Sequence, residues 1–80
     1  MYTLVFKSKD EKMIVFDVYL TKRGKQRIIG NIFCKKKEGE YQSYSFLGIS
    51  SVPELIIPND KIQQLYDRAE QICNSQWMNQ

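Results

Sequence analysis

Between residues 60 and 76 the apolar side chains fall at three- and four-residue intervals: Ile62, Leu65, Tyr66, Ala69, Ile72 and Cys73, with Trp77 one turn further on. Lys61, Gln63, Gln64, Asp67, Arg68, Glu70, Gln71 and Asn74 fill the opposite side. That spacing places the apolar set on one stripe of an α-helix. Pro58 ends what precedes it, Asn59 is a suitable N-cap, and Asp60 suits the positive end of the helix dipole. A helix with one apolar stripe must bury it, so the rest of the chain has to supply an apolar surface.

The preceding residues alternate instead. Tyr2, Leu4 and Phe6 share one side of a period-two pattern, and Ile14, Phe16, Val18 and Leu20 share one side of another. Segment 27–35 is rich in β-branched residues, and 41–47 mixes serine with aromatics. Strands are therefore expected at about 2–7, 13–20, 27–35 and 41–47. Residues 48–58 read as a connector, in which 54–57 could add a short edge strand. Eighty residues leave no room for a second domain. The expected fold is α+β: a four-stranded antiparallel meander spanned on one face by the C-terminal helix, ββββα.

Lys22-Arg23-Gly24 and Lys37-Glu38-Gly39 have the form of three-residue hairpin loops, with glycine where the backbone turns left-handed. That choice pairs Val18 with Ile28, Phe16 with Gly30 and Ile14 with Ile32, leaving room at Gly30 for the Phe16 ring. Across the next hairpin it pairs Ile32 with Tyr44 and Gly30 with Phe46. The helix would then cover Leu4, Phe6, Ile14, Phe16, Val18, Ile28, Ile32, Tyr44 and Phe46. The uncovered face would carry Val15, Tyr19, Ile29, Asn31, Phe33, Tyr41 and Ser43. Asp17, on that same face, is expected to pair with a lysine of a neighbouring strand.

Charge is distributed unevenly along the chain. Residues 1–37 hold ten Lys and Arg against three acids, a balance of +7, whereas residues 38–80 hold Lys61 and Arg68 against six acids, a balance of −4. In a meander, Lys7, Lys9 and Lys12 share one end of the sheet with Lys35, Lys36 and Lys37. Lys22, Arg23, Lys25 and Arg27 crowd the other.

Enzyme chemistry finds little support. The chain has no histidine, and no serine or cysteine stands in a nucleophile signature. Its four glycines form no phosphate-binding pattern. Cys34 and Cys73 are too few for a zinc site or a disulfide framework, so they are expected as buried, reduced thiols, with a Cys34–Cys73 bridge as the alternative. No cofactor or metal is expected. The N-terminus lacks the pattern of a secretory signal, and no apolar run is long enough to span a membrane. A cytoplasmic protein is expected.

The functional expectation is a non-catalytic module that engages and regulates or inhibits another macromolecule, with an acidic protein surface as the leading partner. Tyr19, Phe33 and Tyr41 would be the anchors, and Lys22, Arg23, Lys25, Lys35, Lys36 and Lys37 the steering charge. Single-stranded nucleic acid is the alternative partner, bases stacking on the rings while lysines follow phosphates. Against it, the aromatic signature of RNA-recognition sheets is missing. The uncovered face and the sheet edges also suit a homodimer.

Overall fold

The computed structural model describes residues 1–48 and 57–77. Four strands, β1 (Tyr2–Lys9), β2 (Met13–Lys22), β3 (Lys25–Lys37) and β4 (Glu40–Gly48), precede one helix, α1 (Asn59–Gln76). The strands pair antiparallel in chain order. Helix α1 packs on one face of the sheet, so the fold is the expected ββββα meander. Of the suggested strand at 54–57, residues 54–56 lie outside the described residues.

One apolar layer lies between sheet and helix. Ile14, Phe16 and Val18 of β2, Ile29, Ile32 and Cys34 of β3, and Tyr41 of β4 meet Leu65, Ala69 and Cys73 of α1, with Ile57 joining at the helix entrance. Phe16 and Leu65 thus lie on the same side of the sheet. Phe6 is about half exposed at 49%, yet its ring stands edge-on to Phe16 at 6.4 Å and lies 5.4 Å from Trp77. It closes the β1 margin of the core.

The helix starts one residue earlier than expected, and Asn59 does not cap it. Pro58 occupies the cap position, with no side-chain cap bond, and its carbonyl accepts from the amides of Lys61 and Ile62, each at 3.0 Å. Asn59 is thereby the first helical residue, where its side chain no longer sits in front of the free amides of the first turn.

Both tight turns between strands are shorter than expected. Lys22 pairs with Lys25 and Lys37 with Glu40, leaving the two-residue loops Arg23-Gly24 and Glu38-Gly39. All four residues have positive φ: 52° and 76° in the first loop, 53° and 85° in the second. These are type I′ turns, whose twist matches that of the strands they join.

A two-residue loop shifts the pairing by an odd step, and a bulge in each hairpin takes up the difference. Val18 pairs with Gly30 but Tyr19 with Ile28, so Ile29 is the extra residue of β3. Phe33 pairs with Ser45 but Cys34 with Ser43, so Tyr44 is the extra residue of β4. Ile14, Phe16 and Val18 therefore face Cys34, Ile32 and Gly30, two residues along from the expected partners. Likewise Ile32 faces Phe46, and Gly30 faces Gly48. On the strand that carries it, an inserted residue reverses the face of everything between it and the turn. Ile29, Tyr41 and Ser43 consequently belong to the helix side, while Ile28 and Tyr44 belong to the uncovered side.

Gly30 does make room for a ring, but the ring is that of Phe46 and not Phe16. A Cβ there would lie 2.7 Å from Phe46 Cε2 and Cζ and 2.5 Å from the Leu47 carbonyl oxygen.

Candidate binding face

The face that no element covers among the described residues, the uncovered face, is built from three cross-strand rows. Val5, Asp17, Asn31 and Leu47 form the central one, with Ser8, Val15, Phe33 and Ser45 on one side and Thr3, Tyr19 and Ile28 on the other. In the central row the Asn31 amide donates to Asp17 Oδ1 at 2.6 Å. Asp17 thus takes a neutral partner from β3 in place of the expected lysine. The two polar side chains satisfy one another and leave the flanking apolar residues free of them. Val5 at 42% and Leu47 at 59% are exposed at the two ends of this row.

Of the three expected anchors, Tyr19 and Phe33 lie on this face, both half-buried among their neighbours. Tyr41 does not. It is 5% exposed and sits in the core beneath α1, with the Lys36 ammonium 5.8 Å from the centre of its ring. The β4 bulge places Tyr44 on the uncovered face in its stead. Tyr44 is 52% exposed, its ring is 6.1 Å from that of Phe33, and its hydroxyl donates to Met13 Sδ at 3.5 Å. Phe33, Tyr44 and Met13 form one apolar ridge near the β3–β4 turn.

Basic residues stand at both ends of the sheet. Lys35 and Lys37 approach the β3–β4 turn on this face, whereas Lys22 and Lys25, paired beside Arg23 at the β2–β3 turn, share the side of Leu20 and Arg27. Lys36 is separated from its neighbours, because it pairs with Tyr41 on the helix side. The β1–β2 loop shares the end of Lys35 and Lys37. There the Asp10 carboxylate accepts from the amides of Lys12 and Met13, both at 2.8 Å. Those two bonds, Lys12 first, hold the Asp10 carboxyl below its ordinary pKa.

The outer rim of α1 departs from the expected polar face at two positions. Glu70 and Asn74 turn toward β4 and serve its backbone. Tyr41 N–H donates to Asn74 Oδ1 at 2.9 Å, and Asn74 Nδ2 donates to the Tyr41 carbonyl at 3.2 Å. Glu70 Oε1 accepts from both the amide and the hydroxyl of Ser43, each at 2.8 Å. The outer strand is in this way tied to the helix by polar bonds as well as by packing. Polar residues spaced four apart on a helix gave no hint of this role.

A second concavity, of about 370 Å³, lies between the start of β1 and α1 and is lined by Met1, Tyr2, Lys61, Gln64, Leu65 and Arg68. Lys61 and Arg68 stand about 10.5 Å apart along the helix axis. Among the described residues no group of three or more His, Cys, Asp or Glu is placed to hold a metal ion. Among the same residues no helix is long and apolar enough to cross a membrane. No protein-family model, curated protein or solved structure matches this chain.

Proposed function

We propose that this domain is a non-catalytic binding module whose uncovered sheet face engages an acidic surface of a partner protein and so regulates or blocks that partner. The observation that carries the reading is the Phe33–Tyr44–Met13 ridge with Tyr19 across the sheet, with basic turns at both ends of that sheet. Aromatic side chains contribute most of the energy of many interfaces, and flanking charge raises the association rate. Single-stranded nucleic acid is disfavoured because the sheet lacks the aromatic signature of RNA-recognition sheets. The two free thiols suit a reducing compartment such as the cytoplasm. The same face and the outer edge of β1, which no strand among the described residues pairs with, suit a second copy of the chain, giving a homodimer.

Affinity capture with parent, Phe33→Ala and Tyr44→Ala baits identifies the partner, and surface-immobilised kinetics then compares the variants on it. Expected are faster dissociation for Phe33→Ala, Tyr44→Ala and Tyr19→Ala, and slower association for Lys35→Ala/Lys37→Ala and Lys22→Ala/Lys25→Ala. Unchanged binding by folded aromatic variants would sink the assignment. Tight binding of a single-stranded oligonucleotide that weakens steeply with salt would replace it with the nucleic-acid reading.

A further inference from the structure

Cys34 and Cys73 are both wholly buried and both free. They come from elements far apart in the chain, yet the contacts around them fix one against the other. Cys34 pairs across the sheet with Ser43. Ser43 is held by Glu70, three residues before Cys73, and Tyr41 is held by Asn74, the residue after it. Four hydrogen bonds thus pin the Glu70–Asn74 turn of α1 to β4, and both cysteines lie in the one core layer between helix and sheet. Their mutual interaction pushes the Cys34 thiol up and the Cys73 thiol down.

We propose that Cys34 and Cys73 are a redox-responsive pair, which a disulfide oxidant of the glutathione class closes into a bond stapling α1 to β3. The sulfur that attacks is that of Cys73, because it rides on the end of α1, the part that lifts into reach of the oxidant. The Cys73 thiolate displaces one glutathione thiolate from oxidised glutathione, forming a mixed disulfide. The Cys34 thiol then loses its proton and attacks the Cys73 sulfur, releasing the second glutathione. Two protein thiols are oxidised, one glutathione disulfide is reduced to two thiols, and the two protons leave with them. Because neither sulfur is exposed, the first step requires the last turns of α1 to lift. Oxidation of the folded protein should be slow, and oxidation during refolding fast.

The test is to refold the full chain from denaturant in glutathione buffers spanning reducing to oxidising ratios, then block free thiols and weigh the intact protein. Expected in the oxidising buffers is a monomer with both cysteines protected from alkylation, lighter by two hydrogens and free of bound glutathione. Its melting temperature should exceed that of the reduced form by on the order of 15 °C, since the bond closes a loop of about 40 residues. Fully alkylated protein at the most oxidising ratio would overturn the proposal. So would trapped glutathione adducts, a disulfide-linked dimer, or an oxidised monomer that melts no higher than the reduced one.

Discussion

Gly30 and Phe46 occupy the same space: the ring of Phe46 lies where a side chain at Gly30 would begin, 2.7 Å from an ideal Cβ. The Leu47 carbonyl oxygen closes the site from the backbone side at 2.5 Å. Gly30→Ala must therefore displace both a ring and a strand, and overpacking of this kind costs about 1–3 kcal/mol. Urea denaturation should place Gly30→Ala toward the upper end of that range. Adding Phe46→Leu relieves only the ring, so the double variant should recover part of the loss and not all of it. An alanine variant as stable as the parent would show that the ring does not sit over Gly30.

Asn74 answers both polar groups of the Tyr41 backbone. Asn74→Ala leaves a part-buried N–H and C=O unpaired, at a cost of about 1–3 kcal/mol. Hydrogen exchange offers the sharper readout. The Tyr41 amide should lose most of its protection in Asn74→Ala, while amides in the β1–β2 pair keep theirs. Equal loss throughout the sheet would mean that Asn74 acts on global stability alone.

The helix and the strand count were readable because their patterns admit a single interpretation. Ile62, Leu65, Tyr66, Ala69, Ile72, Cys73 and Trp77 make a stripe at no spacing other than that of a helix, and every one of them is buried or half-buried. The two bulges were not readable, for a definite reason. Ile28 and Ile29 are identical neighbours, so the pattern looks the same whichever points inward. Tyr41 and Tyr44 are likewise the same residue on opposite parities, and an inserted residue exchanges them without altering composition. Turn length was ambiguous too, since Arg23 and Glu38 are poor choices for the left-handed backbone they adopt. The candidate face inherits those errors. Tyr19 and Phe33, each on the strand opposite the inserted residue, lie on the face expected of them, whereas Tyr41 does not.

Those turns yield a prediction of their own. Type I′ loops favour Asn-Gly, because asparagine tolerates positive φ better than most residues with a side chain. Arg23→Asn and Glu38→Asn should each raise stability by a few tenths of a kcal/mol to about 1 kcal/mol, read from the denaturation midpoint at constant slope. Gly24→Ala and Gly39→Ala should do the reverse. Nothing lies within 4 Å of either added Cβ, so their cost, about 1 kcal/mol, is backbone strain alone.

The Asp10 loop should respond to acid. Its carboxyl is held below the ordinary 3.8 by the Lys12 and Met13 amides. A carboxyl depressed in the folded state stabilises the fold above its unfolded pKa, and that contribution disappears as pH falls through the folded value. A nuclear magnetic resonance titration should therefore find Asp10 ionising below 3.8, with the Lys12 and Met13 amide shifts following the same curve. An Asp10 midpoint at or above that value would contradict the loop geometry. In Asp10→Ala the two amides should no longer titrate together.

The exchange of Tyr41 and Tyr44 between faces separates stability from binding. Tyr41 is buried against α1, and removing an aromatic side chain from such a site costs about 3–5 kcal/mol. That is a large share of what a domain this small can hold, so Tyr41→Ala should be largely unfolded at room temperature. Tyr44 is 52% exposed, with its ring beside Phe33 and its hydroxyl bonded to Met13. Tyr44→Ala should cost about 1 kcal/mol or less and keep the parent's far-ultraviolet circular dichroism. Leu65→Ala, also buried, should behave like Tyr41→Ala, with a loss of about 2–5 kcal/mol. A Tyr41→Ala protein as stable as Tyr44→Ala would return Tyr41 to the uncovered face and remove the bulge from β4. If instead Tyr44→Ala folds normally and loses the partner, the ridge beside Phe33 is the surface that binds.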